Sequence, residues 1–431
     1  MKARYRVWGL VLSVLLLTNG CNVVMSTPTP TVPPPSPTPS PTPEILPSPT
    51  PTPVPALTTL TLWVPDLLAP SEETRADVLM EQIAAFMQVN WDIQVRVLVK
   101  TPTGPGGLYN LLSTASVAAP DVLPDLIMLR DADLQAAAEG DFIRPLPELD
   151  AGVPGGYPFT TEATTFAGAT YGLPFLTEIE QMVYNPRVAT TAPLSWTAVL
   201  TGGYSLLFPA APVTGLADDA LLGAYLGTGG DIVDAAGKPL LERVHLEEFY
   251  RFLKSLMDAG LLDPERVMQL PDAAACWDAY QQGLGTLSVV PAGAYWATVD
   301  RPGMPGWFPT PGGEPESLAH LWSLALVSAD PGQQEAALSL AAWLTEPARV
   351  ADLSQAVALL PASGEPLALW TLAPEDIDFL DTLLMTARPA FPPSVAQPVR
   401  RALQAGVQLL LEEEGTTPER AATRALTILR K

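Results

Sequence analysis

The sequence predicts an α/β fold with a doubly wound sheet, because three features coincide between residues 57 and 131: apolar runs of strand length, helical periodicity between them, and short links. In the first strand Leu60, Leu62 and Val64 alternate with Thr59, Thr61 and Trp63, and Asp66 follows just beyond its end. The next segment reads as a helix capped by Ser71, with Glu72 and Glu73 in its first turn and Leu79, Ile83, Phe86 and Met87 on one face. Ile93 to Val99 is a second alternating strand, and Leu108 to Ala118 is helical. Asp125-Leu126-Ile127-Met128-Leu129 is a continuous apolar run suited to a buried parallel strand. In such sheets ligands bind beyond the carboxyl ends of the strands, which puts Asp66 and Arg130-Asp131-Ala132-Asp133 at the candidate site. Later segments are richer in helix: Leu246 to Ala259, Pro331 to Leu344, Val399 to Glu414, and a last one capped by Thr417 with Pro418 in its first turn.

The first 56 residues have a different character. Lys2, Arg4 and Arg6 precede the apolar run Val7 to Leu17, which is too short for a bilayer span of roughly 20 residues and has the dimensions of a secretory signal. Leu17-Thr18-Asn19-Gly20-Cys21 then resembles the bacterial lipobox, in which the cysteine is acylated and becomes the new N-terminus. The alternative is an incidental thiol beside an ordinary cleavage site. Residues 22–56 are mostly Pro, Thr and Ser with Glu44 as the one charge, a composition that favours an extended polyproline II spacer over a packed core. The expected organisation is a signal peptide over 1–20, an acylated Cys21 and linker over 21–56, and a folded part from Leu57 onward.

Charge and composition exclude several functions. With 23 basic and 46 acidic side chains the chain carries a net charge of -23, so binding a nucleic-acid backbone by neutralisation is not expected. Two cysteines cannot build a disulfide scaffold or a four-thiolate zinc site. The sequence has no Walker loop, dinucleotide fingerprint, G-x-S-x-G elbow, H-E-x-x-H or C-x-x-C. Gly227-Thr228-Gly229-Gly230 reads as a turn, His245 and His320 as structural or surface residues, and Cys276 as a buried thiol. No cofactor, metal or catalytic residue is therefore expected.

The order of segments carries more information than any single motif. It runs Leu62-Trp63-Val64, Pro124-Asp125-Leu126-Ile127, Gly140-Asp141-Phe142-Ile143-Arg144-Pro145-Leu146, then Tyr171-Gly172-Leu173-Pro174 through to Tyr184-Asn185-Pro186. Pro193-Leu194-Ser195-Trp196, Tyr280-Gln281-Gln282-Gly283 before Pro291 to Trp296, Leu360-Pro361-Ala362 and Thr417-Pro418-Glu419-Arg420-Ala421 follow. Over residues 57–431 this resembles the extracellular solute-binding proteins of ABC importers, especially the carbohydrate-binding group that includes the maltose-binding protein. The resemblance implies a periplasmic-binding-protein-like fold of two α/β lobes with a solute cleft between them, divided here as 57–170 with 293–328 and 171–292 with 329–431. It also implies a monomer that hands its solute to a membrane permease, outside the cytoplasm, on a lipid anchor.

The same resemblance carries over a set of ligand-binding positions. Glu178 lies four residues after Pro174, where sugar binders of this kind place a carboxylate for sugar hydroxyls, and Tyr295 with Trp296 match the segment that presents a ring to a sugar face. Asp66 and Asp131 can supply further acceptors, and Trp322 enters with the return segment. The chain also departs from the maltose-binding pattern: Leu129 replaces an aromatic, and Asp218 and Asp219 replace a tyrosine. A smaller sugar is therefore expected, with a cationic solute such as a polyamine, or a secreted hydrolase using a carboxylate pair, as alternatives.

Overall fold

Parallel pairing starts the molecule: β1, Thr58–Pro65, runs beside β2, Ile93–Lys100, from Thr58 opposite Ile93 to Pro65 opposite Lys100. The structure is a computed structural model that describes residues 57–68, 77–146, 155–212 and 214–431. The signal segment, Cys21, the proline-rich run and the Ser71 cap lie outside the described residues. The helix Asp77–Val89 links β1 to β2 and buries Leu79, Ile83 and Phe86, with Met87 half-buried beside them. The third strand, β3, is Leu126–Arg130; it pairs in parallel on the other side of β1 after the helix Leu108–Ala118. With a neighbour on each edge and helices over its faces, β1 buries Trp63 as well as Leu60, Leu62 and Val64.

A small hairpin, β4 (Thr165–Phe166) with β5 (Ala169–Thr170), leads into the longest strand, β6, Leu173–Tyr184. After it come β7 (Leu206–Leu207), β8 (Leu287–Pro291), β9 (Met304–Gly306), β10 (Leu318–Leu326), β11 (Leu360–Pro361) and β12 (Arg388–Pro389). The strand order is β2-β1-β3-β10-β6-β8-β7. The strand β10 is antiparallel to both β3 and β6, and β6 changes partners along its length: its first half pairs with β10 and β11, its second half with β8 and β9. Two strands thus pass from one α/β body into the next, and whatever lies at their crossing is walled by both.

Three apolar clusters fill the interior. The first joins Leu60, Leu62 and Ile127 to Leu340 and Leu353; the second joins Phe249, Tyr250 and Leu253 to Leu403 and Val407. A third lies under the crossing strands and contains Ile179, Val183, Tyr295, Trp296 and Leu321. Packing cuts across the lobe division drawn from the sequence at two places. Residues 329–431 do not all join the second lobe, because β10 delivers Leu324 and Leu326 to the first cluster and the helices Pro331–Leu344 and Pro347–Ala356 stay there. Trp343 fixes that position: its Nε1 donates to Gln82 O at 3.0 Å and its ring meets Phe86 edge-on at 5.8 Å. Residues 293–317 do not all join the first lobe either, since β9 pairs with the far half of β6, Met182 opposite Gly306.

Other elements follow the sequence closely. The helix Arg243–Asp258 buries Phe249, Leu253 and Leu256 and stops at Gly260, whose φ of 69° suits a residue without a Cβ. The helix expected from Val399 begins instead at Pro393 and runs to Glu412 with Pro398 inside it. Prolines normally break helices because they lack an N–H, but Pro393 occupies the first turn, where that donor has no intrahelical partner.

One close approach of backbones shapes the floor of the crossing. A Cβ on Gly293 would overlap Ala358 O and lie 2.9 Å from Leu359 Cα, neither of which can move like a side-chain tip. Gly293→Ala is expected to cost about 1–3 kcal/mol in chemical denaturation. Gly312→Ala, with nothing within 4 Å of the new Cβ, is expected to leave stability unchanged.

Candidate functional site

At the end of β3 the chain turns directly into the helix Asp131–Glu139, placing Asp131 and Asp133 in a first turn rich in unbonded N–H groups. Asp131 Oδ1 accepts from Ala132 N at 2.8 Å, and the residue is 7% exposed. Register carries the next side chains to the same place. Arg130 lies opposite Trp322 on β10, and His320, two residues away on the same face, lies opposite Glu178 on β6. Arg130 Nη2 donates to Glu178 Oε2 at 3.0 Å, while Trp322 Nε1 donates to Glu178 Oε1 at 2.6 Å.

The second body contributes Asp218 and Asp219, which open the helix Asp219–Leu226; Asp218 is its cap and accepts from Ala220 N at 3.2 Å. His320 Nε2 lies 2.8 Å from Asp219 Oδ2, and its Nδ1 lies 3.5 Å from Asp131 Oδ2. Asp219 Oδ1 also accepts from Arg400 Nη2, and Arg400 Nη1 donates to Ala217 O at 3.0 Å. The result is a chain of alternating charge, Asp131 to His320 to Asp219 to Arg400, which runs from the first body through a crossing strand into the second.

This chain of charges stands between two cavities. One of about 540 Å³ is lined by Arg130, Asp131, Asp133, Asp218 and Arg400, with Phe391 as its aromatic side chain. The other, about 250 Å³, is lined by Thr177, Glu178, Glu180 and Asp272. His320 and Asp219 line both.

Burial alone would lower the His320 pKa, but the Asp219 carboxylate outweighs it and, with Asp131, pushes the imidazole up to about 9. Burial would likewise raise Asp219, yet Arg400 and His320 hold its carboxyl well below the usual range. The neighbouring acids go the other way. Burial and the Asp219 charge push Asp218 up to about 6; burial, Asp218 and Asp219 push Glu180 well above the ordinary carboxylate value. Asp133 is pushed up to about 6 by burial and by Asp131.

Of the ligand-binding residues expected from the sequence, Asp131 and Glu178 reach these cavities. Asp66 is exposed in a short turn, Asp66–Leu68, and lines neither. Tyr295 and Trp296 are 1% and 4% exposed and sit in the third apolar cluster. Their partners explain the burial: Tyr295 Oη donates to Gly303 O at 3.2 Å, and Trp296 Nε1 donates to Gln181 Oε1 at 2.8 Å. Gln181 is an odd-numbered residue of β6, so it faces away from Glu178 and Glu180 and takes the ring with it. Trp322 is 2% exposed and acts on the cleft through Glu178.

Among the site residues that the sequence did not single out are His320, Arg400 and Glu180. For His320 a signal existed, since two positions separate it from Trp322 in an apolar strand and period two puts both on one face. Arg400 carried none; it comes from a helix 80 positions later and meets Asp219 only through tertiary packing.

A polar cleft walled by two α/β bodies that share crossing strands is the architecture of a protein that binds a small solute. A family model described as bacterial extracellular solute-binding protein matches residues 81–365, and the chain belongs to that family, one of binding proteins rather than enzymes. Solved structures agree on the fold. The maltose-bound MalE3 of T. maritima superimposes with a TM-score of 0.67 at 18% identity, over 86% of this chain and 99% of that one. The sugar-binding protein MalE of Xanthomonas citri gives 0.69 at 16% identity, over 86% and 97%. A solute-binding protein of Thermotoga lettingae bound with α-D-tagatose gives 0.64 at 18%, over 86% and 99%. Among curated proteins no sequence match was found.

The imidazolium should be visible in stability. Because the folded pKa of about 9 lies above the ordinary histidine value, the stabilisation is fully present below about pH 6.5 and is lost as pH rises through 9. Denaturant titrations between pH 6 and 9.5 are expected to show the wild type losing on the order of 3 kcal/mol relative to His320→Gln. Parallel pH profiles for the two proteins would contradict a charged His320.

Proposed function

We propose that the protein is the solute-binding component of an ABC import system, held outside the cytoplasm by an acylated Cys21 and a proline-rich spacer, and that it captures a small sugar and passes it to a membrane permease. The observation that carries this reading is the polar cleft of about 540 Å³ between two α/β bodies of a solute-binding family member. The ligands of the similar structures, maltose and tagatose, support a carbohydrate.

The lining favours a compact solute over a long dextrin. Sugar faces stack on the rings of Phe, Tyr and Trp, and among the described lining residues Phe391 is the one such side chain. Carboxylates supply the rest: Asp131 and Glu178 accept hydroxyl protons, and Trp322 with Arg130 keeps Glu178 aimed at the cleft. The two bodies close over the solute about β6 and β10, so the pair His320–Asp219, which spans them, tightens or loosens with closure.

Thermal-shift and calorimetric screening of mono- and oligosaccharides is expected to find a sugar that stabilises the purified protein, with about 2.7 kcal/mol gained at 100 times the dissociation constant. Glu178→Gln is expected to weaken that sugar about tenfold or more, the cost of a lost charge-assisted hydrogen bond. A panel in which nothing stabilises the protein would contradict the reading. For the anchor, labelled fatty acid is expected in the wild type and absent from Cys21→Ala; equal labelling of both would rule it out.

A further inference from the structure

The carboxylates of the cleft outnumber the cations that face them. The two cavities are lined by Asp131, Asp133, Glu178, Glu180, Asp218, Asp219 and Asp272, against Arg130, His320 and Arg400. The cations are already committed. Arg130 pairs with Glu178, Arg400 with Asp219, and His320 lies between Asp219 and Asp131. Asp272 caps the helix Ala273–Gln281 and accepts from Ala275 N at 2.8 Å, and Asp218 caps its own helix. Glu180 and Asp133 have no cationic side chain paired with them in any ion pair of the described residues.

Two buried oxygens in this set accept no well-formed N–H hydrogen bond: Glu180 Oε2, whose carboxyl meets that of Asp218, and Oδ2 of Asp131, which has only the His320 Nδ1 charge 3.5 Å away. A buried acceptor without a donor is costly, and a carboxylate more so than a neutral group. Accumulated acids in a low-dielectric cleft relieve their repulsion by retaining protons. Burial and neighbouring carboxylates push Glu180 well above the ordinary carboxylate value and Asp218 and Asp133 up to about 6, so these acids hold protons at mildly acidic pH. Retained protons are what a positively charged ligand would replace. Among the described residues no three His, Cys, Asp or Glu side chains converge as a metal site would require, so the fitting cation is molecular.

We infer that the captured solute carries a primary ammonium group, seated between Glu180 and Asp218 at the boundary of the two cavities. This rests on the solute-binding reading and narrows its ligand to an amine, with hydroxyls of an amino sugar or the chain of a polyamine lying along the larger cavity. An ammonium supplies three donors and a positive charge to Glu180 and Asp218, a carboxyl pair that meets no cation in an ion pair of the described residues, and the paired cations keep Asp219, Glu178 and Asp131 from drawing it elsewhere.

The test is isothermal titration of the purified protein with glucosamine, glucose, N-acetylglucosamine and spermidine, at pH 5.5 to 7.5 and in buffers of different ionisation enthalpy. An amine is expected to bind about tenfold or more tighter than its neutral counterpart. Its affinity should strengthen as pH rises, and heats that vary with the buffer should report proton release at pH 6. Preference for glucosamine identifies the amino sugar; preference for spermidine identifies the polyamine. In Glu180→Gln, and in Asp218→Asn, which preserves the helix cap, the ratio of amine to neutral affinity should fall to about one. Melting curves of the unliganded variants check that each is folded. Equal binding of glucose and glucosamine without proton release would overturn the inference and leave the sugar reading standing. An amine preference undiminished in both variants would overturn the assigned seat. Failure of all four ligands would overturn the inference, while the solute-binding reading would still be decided by the wider neutral panel.

Discussion

One imidazolium fixes the geometry on which the rest depends. His320 enters on β10, a strand shared by both α/β bodies, and its two ring nitrogens face one carboxylate from each: Asp131 at the start of a helix in the first body, Asp219 at the start of a helix in the second. A neutral histidine could donate to only one of them. The charged form donates to Asp219 at 2.8 Å and sets its second N–H charge against the Asp131 carboxylate at 3.5 Å, and Arg400 behind Asp219 extends the chain of alternating charge to the helix Pro393–Glu412. Carboxylates at two helix N-termini suit this role because each is already stabilised by unbonded N–H groups. The cleft is therefore organised by electrostatics between bodies, with apolar packing confined to the three clusters beneath.

Charge also explains why aromatic rings take a supporting part. Tyr295 and Trp296 occupy the third cluster, where Arg301 lies over both rings at 5.2 and 4.4 Å and Gln181 accepts the indole proton. They stiffen the segment beside β6 and leave the lining to carboxylates. Asp218 and Asp219, together with Asp131 and Asp133, make the lining of the cleft acidic.

Much of the fold was legible from local patterns. The run from Leu126 to Leu129 is fully buried because β3 has a strand on each edge and is covered by helices such as Leu108–Ala118 and Asp131–Glu139, and a continuous apolar sequence is what such a strand requires. The helix Leu108–Ala118 and the Thr417 cap emerged at their expected residues because both depend on short-range chemistry. Lobe membership was not legible in the same way. Whether the helix after β10 stays with the first body depends on contacts such as Trp343 with Gln82, 261 positions apart, and no local signal encodes them. The site divides similarly. Asp131 could be placed from a strand end and Glu178 from the resemblance to sugar binders, whereas Arg400 depends on a tertiary approach and Trp296 on which face of β6 its partner occupies.

One small solute is expected to be captured where Asp219 and His320 join the bodies. Native mass spectrometry of the protein incubated with a mixture of sugars and amino sugars tests it most directly. A single adduct of one solute per chain, lost in Asp219→Ala while the folded charge-state distribution is retained, is the expected result. No adduct at all, or one undiminished by that substitution, would contradict it.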